Sequence, residues 1–150
     1  MTTIILSILG ILLAAAAALM VVFYGGSAFE DGSVGAQANT LQNAASNVQS
    51  ASSMFRMTTG AAPTAMTDLT TGGQYLSAAP SIEGVTAGTA TISSGYYEVT
   101  AVPDEVCLKV NQNVGVNTDA QTVTNIPTAR PTAKVGCFGT SPNYTFFGTL

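Results

Sequence analysis

Polar and apolar positions divide the chain into stretches with different periods. From Ile4 to Tyr24 no residue is charged; Glu30 is the first acid and Arg56 the first base. A run of about 20 apolar residues spans the hydrocarbon of a bilayer as a helix. The leucines and the Ala14–Ala18 block favour that conformation. Gly10 and the alanines give such a helix a small-residue surface that a second helix can approach closely. Residues 1–24 thus read as one apolar helix. Gly25, Gly26 and then Glu30, Asp31 and Gly32 interrupt the propensity, each internal glycine at about 1 kcal/mol. A stretched or melted joint is expected over residues 25–32.

Helix then resumes, with Asp31 or Ser33 as N-cap. Val34, Ala38, Leu41, Ala45, Val48 and Phe55 recur at alternating steps of four and three, with Ser52 in the missing place, which is one stripe on a helix. The opposite face carries Gln37, Asn39, Asn43, Asn47, Gln49, Ser50 and Ser53. A coiled coil would need flanking charges, and none precedes Arg56, so the stripe of this amphipathic helix (33–58) is expected to pack on a sheet. Residues 59–95 are rich in Thr, Gly, Ala and Pro. They read as a loop region with one helical turn and a marginal strand around Met66–Leu76.

A period of two begins after Gly95: Tyr97, Val99 and Ala101 alternate against Tyr96, Glu98 and Thr100. Pro103-Asp104 reads as a turn. Val106, Leu108 and Val110 then alternate against Cys107 and Lys109, which predicts a hairpin, with a helical turn as the alternative for this segment. Gln121–Ile126 is a weaker β-branched stretch, and Lys134–Phe138 and Tyr144–Phe147 are short candidate strands. The expected fold is α+β: a long N-terminal helix, broken near 25–32, with its amphipathic half on a small antiparallel sheet formed within 96–150.

Composition changes this picture in two ways. Of 150 residues 47% are hydrophobic but only 8% charged, about a third of the usual charged share. A surface of small hydroxyl and amide groups suits a protein packed against copies of itself, or simply one tolerated outside the cell. The net charge of −4 and four scattered bases (Arg56, Lys109, Arg130, Lys134) argue against nucleic-acid binding. Cys107 and Cys137 lie behind an export-like segment, which points to an oxidising compartment and a disulfide. Two reduced, buried thiols in a cytosolic protein are the alternative.

The chain offers little catalytic chemistry. With no histidine, Cys/His zinc sites and a Cys–His nucleophile are excluded. Asp104-Glu105 reads as a solvated acidic pair; calcium binding by Asp104, Glu105 and Asp119 fits no loop spacing. Thr71-Gly72-Gly73 lacks the lysine of a phosphate loop. Asn143-Tyr144-Thr145 is a formal glycosylation sequon. Tyr96, Tyr97, Tyr144, Phe146 and Phe147 read as sheet core or interface, with an adhesive or subunit-contact patch as the alternative. No enzymatic activity, cofactor or metal is expected.

Three readings fit the leading segment. A cleaved signal peptide would end near Gly26-Ser27-Ala28 but lacks a basic start. A signal anchor lacks flanking Lys or Arg. A chain whose basic leader was removed before Met1 accounts for both absences.

The stretches MTTIILSILGILL, ANTLQNAASNVQSASSMFR and GYYEVTAVPDEVCLKV leading to KVGCFG, in that order, resemble type IV pilins, and most closely the type IVb branch of toxin-coregulated and conjugative thin pili. They cover about half the chain. The resemblance implies a structural subunit that polymerises, in many copies, into a helical extracellular filament. It implies residence in the bacterial inner membrane beforehand, handling by pilus assembly machinery, and a processed, methylated Met1. Ile5, Leu9, Gly10, Leu13, Ala14, Ala16, Ala18 and Val21 would pack in the filament core, with Gly25, Gly26 and Gly32 as the helix joint. Cys107 and Cys137 would bound the surface loop that shapes subunit contacts. Pilins usually place glutamate at the fifth mature residue, opposite a neighbour's N-terminal amine; this chain has Ile5, so the amine must find hydroxyls, carbonyls or solvent. A single-pass anchored envelope binding protein and a pseudopilin of a secretion system share the same organisation.

Overall fold

The structure is a computed structural model that describes residues 2–82, 90–116 and 126–150, with side chains described for these except 2–4 and 23–30. Met1, Asp119 and the 121–125 part of the weak β stretch lie outside the described residues. The order of elements is α1 (Thr2–Thr59), α2 (Met66–Thr70), a 3-10 turn (Thr71–Gly73), β1 (Ala90–Ser93), β2 (Tyr96–Val102), α3 (Asp104–Val114), β3 (Val135–Thr140) and β4 (Asn143–Thr149). Two compact units are present, Met1–Ser33 and Val34–Leu150.

The first unit is helical throughout its described length. The backbone of Gly25, Gly26 and Gly32 is α-helical, so the stretched or melted joint expected there is corrected. Helix propagation adds a hydrogen bond for each residue fixed, which offsets the intrinsic cost of a few glycines inside a long helix.

The second unit is α+β, as the patterning predicts. Ala38, Leu41, Ala45, Val48 and Ser52 of the α1 stripe are buried, together with Ala44 and Ala51, while Val34 and Phe55 are half-buried at its ends. On the polar face Thr40, Ser50, Ser53, Thr58 and Thr59 each donate a hydroxyl to the carbonyl four residues back, which satisfies these groups within the helix. The stripe shares one core with a four-stranded antiparallel sheet of order β1-β2-β4-β3. Tyr97 and Val99 of β2 and Tyr144 and Phe146 of β4 fill the face toward α1. A Cβ on Gly148 of β4 would stand 3.0 Å from Ala45 Cβ, so this glycine sets how closely helix and sheet approach.

Three elements differ from the sequence reading. Val106–Val110 is not a strand but the middle of α3, and Pro103-Asp104 opens that helix instead of a hairpin turn. Val106, Cys107, Val110 and Asn111 are its buried residues, a spacing that only a helix places on one side. Asp104 and Glu105 in the first turn complement the helix dipole, and Gly115, with Val116 N–H donating to Asn111 O at 3.0 Å, ends it. The sheet also begins earlier than residue 96: β1 forms a hairpin with β2 across Ser94-Gly95, both at positive φ, the turn that matches strand twist. Finally, the register of β2 against β4 shifts between Val99 and Val102, with Ala101 at φ 58°. The bulge turns both Val99 and Val102 into the core, leaving Ala101 half-buried.

The Tyr97 hydroxyl is buried in this core without a hydrogen-bond partner among the described residues, and burial pushes its pKa up to about 12. Tyr97→Phe is therefore expected to leave stability unchanged or to raise it by about 1–2 kcal/mol. The sign with pH follows from the raised value: the folded state favours the neutral phenol, so this stability is complete below the ordinary value of 10.0 and is lost as pH rises toward 12. Denaturant titrations at neutral and high pH check it. By pH 12 the wild type should have lost about 2 kcal/mol more than Tyr97→Phe; parallel losses would refute the assignment.

Candidate assembly surface

The sequence-predicted packing residues sit on an apolar helix that no other described residue buries. Ile5–Val22 is 18 residues long, apolar enough to cross a membrane, and none of it is buried. At 1.5 Å per residue it measures about 27 Å, close to the hydrocarbon thickness of a bilayer. Side-chain exposure is high on every side: Ile5 60%, Leu9 54%, Ile11 70% and Val21 72%. Gly10, Ala14 and Ala18 recur every fourth residue, a small-residue row along one face. A Cβ added to Gly10 would have nothing within 4 Å. Ile5, Leu9 and Leu13 form a second row at the same spacing, with Ala16 beside it. The structure thus brings the predicted core-packing residues into two rows of one helix, both exposed among the described residues.

In the second unit the predicted cysteines are bonded, Cys107 of α3 to Cys137 of β3. Asn111, which the sequence reading missed, reinforces this junction. It is fully buried; its Nδ2 donates to Cys137 O at 3.1 Å and its Oδ1 accepts Cys137 N–H at 2.8 Å. No local signal marks it, because its partner lies 26 residues away. Gly136, beside Cys137, leaves room for the amide: a Cβ there would stand 3.3 Å from Asn111 Oδ1 and 3.2 Å from the Phe147 ring.

The other sheet face carries a second missed feature. Arg130 pairs with Glu98, and its guanidinium lies 4.0 Å from the Tyr96 ring centroid, 5.3 Å from Phe138 and 5.6 Å from Phe147. Phe147 is fully buried by this arrangement, so Arg130 straps the 126–134 loop over the sheet. The planar guanidinium stacks and hydrogen-bonds at once, which an ammonium cannot do. Arg130→Lys is expected to lower stability by about 1–2 kcal/mol in a denaturant titration; an unchanged midpoint would show that charge alone suffices there.

The remaining candidates resolve into structural roles. Tyr97, Tyr144 and Phe146 are core, and Tyr96 is half-buried under Arg130. Asp104 Oδ1 accepts Glu105 N–H at 3.0 Å within the first turn of α3. Among the described residues no three metal-capable side chains gather. Asn143 is exposed where β4 begins, next to the cis Ser141–Pro142 turn. Asp68 Oδ2 accepts the N–H groups of Thr64 and Ala65 at 2.8 and 3.0 Å and the Thr64 hydroxyl at 3.1 Å. These bonds hold its carboxyl below the usual value, so this cap on α2 is lost only as pH falls through that lowered value. A shallow groove of about 150 Å³ runs between α1 and the β3–β4 ends, lined by Gln42, Ser46, Gln49, Lys134 and Thr149 among others.

No protein-family model, curated protein or solved structure matches the chain.

Proposed function

We propose that the protein is the major structural subunit of a type IVb-like pilus, a non-enzymatic protein that works by polymerising. The observation that carries this reading is the Ile5–Val22 surface, apolar but for Ser7 and unburied. In this reading the subunit first rests in the bacterial inner membrane with that helix in lipid. Assembly machinery then transfers the helix into the centre of an extracellular filament, against equivalent helices of other copies. Moving an apolar helix from lipid to a protein core gains little hydrophobic free energy, so close packing must hold it. Gly10, Ala14 and Ala18 supply the surface for that packing, and Ile5 brings no carboxylate to it. Contacts that repeat head to tail without closing produce an open filament. The Val34–Leu150 unit is stapled by Cys107–Cys137.

Gly10→Leu and Ala16→Trp are each expected to lower filament yield about tenfold, the effect of about 1.4 kcal/mol per contact, while the Val34–Leu150 unit keeps its fold. Normal piliation in both variants would overturn the role of these rows. The same helix length also favours a simple anchor for an envelope binding protein, and a pseudopilin would form only a short assembly. Electron microscopy of sheared cell-surface material, labelled for this chain, separates them. Long labelled filaments support the pilin; membrane-bound monomer alone refutes it.

A further inference from the structure

The groove between α1 and the β3–β4 ends has no part in filament packing as described above, and its chemistry points to a ligand. Gln42 and Gln49 of α1 line one side, Lys134 and Thr149 the other. Thr149 N–H donates to Lys134 O at 2.8 Å, which ties these two positions together and fixes that wall. Gly148 lines the groove without a side chain. A Cβ there would stand 3.0 Å from Ala45 Cβ and 4.0 Å from Val135 Cγ2, both of them lining residues, so the space is open because position 148 is bare.

Two groups say what that space would take. The Nε2 of Gln42 is buried and has no hydrogen-bond partner among the described residues. A buried donor left unpaired carries its full desolvation cost, so an acceptor belongs beside it. Lys134 is the only charged residue among those lining the groove, and it makes no ion pair among the described residues. A carboxylate offers two acceptor oxygens in one plane, one for the amide and one for the ammonium. A phosphate dianion suits the groove less well, since one cation would face it on a chain of net charge −4. Around this pair Ser46, Gln49 and Thr149 add neutral hydroxyl and amide groups, the partners that ligand hydroxyls use. The volume of about 150 Å³ is room for one six-membered ring.

We propose that this groove binds one sugar acid, a pyranose ring bearing a carboxylate. The carboxylate lies between Gln42 Nε2 and Lys134, and ring hydroxyls meet Ser46, Gln49 and Thr149. Water satisfies Gln42 in the empty groove; the carboxylate takes its place and adds the charge that Lys134 lacks. This inference rests on the second unit alone and stands whether or not the chain forms filaments.

The test uses the full chain in detergent at low ionic strength, where a charge pair is screened least. Galacturonate, galactose and acetate are titrated while the Gln42 side-chain and Thr149 backbone amide resonances are followed. Galacturonate is expected to shift both saturably. Galactose keeps the ring without the carboxylate, and acetate keeps the carboxylate without the ring; each should bind at least about tenfold more weakly. Gln42→Leu removes the buried donor and Lys134→Gln the charge. Each should weaken galacturonate at least about tenfold, read at Thr149. Absence of a saturable shift, galactose or acetate binding as tightly as galacturonate, or unchanged affinity in both variants would each overturn the proposal. Should either variant fail to fold, the three titrations of the wild type decide.

Discussion

Gly139→Ala lowers the free energy of unfolding by about 3–5 kcal/mol, read from a denaturant titration of the full chain in detergent. Two independent constraints meet at this position. The backbone there has φ 133°, a region that L side chains rarely enter. An added Cβ would stand 2.7 Å from Asn143 O and 3.1 Å from Tyr144 Cα. Both obstacles are backbone atoms of β4, in register with Gly139 through the Gly139↔Tyr144 pair. Relief would require β3 to move off β4, and β3 is held by Cys107 and Asn111 at Cys137. Gly60→Ala is the control: φ is 75° there but nothing lies within 4 Å of the added Cβ. It should cost about 1 kcal/mol, the backbone part alone. Equal losses at the two sites would mean that the close approach of β3 and β4 carries no energy.

The second large effect is at the disulfide. Cys107→Ser with Cys137→Ser is expected to cost about 3–4 kcal/mol, from the freedom that the unfolded chain gains when a loop between residues 30 apart is opened. Asn111 sharpens this prediction. The amide and the sulfur both end on Cys137, so the two contributions share a partner and are not additive. A double-mutant cycle between Asn111→Ala and the cysteine pair should show coupling above about 0.5 kcal/mol, because each bond holds α3 where the other can form. Additive losses would show that α3 is positioned by Val106 and Val110 alone.

Features governed by local periodicity were legible in the sequence. The Val34–Phe55 stripe is buried as its spacing predicts, and Tyr97 and Val99 alternate inward until the bulge at Ala101. The cysteine pair also reads correctly, because two cysteines allow only one bridge. The misreading of Val106–Val110 has a physical source. Steps of two along a strand and a step of four along a helix both place Val106 and Val110 on one side, so the apolar positions alone do not decide. Asn111, buried next to Val110, and the stop at Gly115 settle it as helix. β1 was obscured because Ala90–Ser93 holds one large apolar residue, Ile92; the Ser94-Gly95 turn was its better sign. The grips of Asn111 on Cys137 and of Arg130 on Glu98 join residues 26 and 32 positions apart. Nothing in either neighbourhood announces a distant partner. Gly25, Gly26 and Gly32 mark the limit of propensity: each is a poor helix former, yet helix continues through all three.

The strand order has a consequence for how the chain is delivered. β4 comes last among the described strands, yet it lies inside the sheet and is the neighbour of both β2 and β3. As the polypeptide emerges N-terminus first, the β1–β2 hairpin can form and α3 can follow. The two halves of the sheet stay apart until residues 143–149 arrive to join them. Phe146, which faces Tyr97 at a ring separation of 6.3 Å, comes with that last piece, so the apolar stripe of α1 must wait for its cover. A chain stalled before residue 143 would therefore hold an open core, and limited proteolysis of such stalled chains should find the β2–α3 region cleavable until β4 is complete.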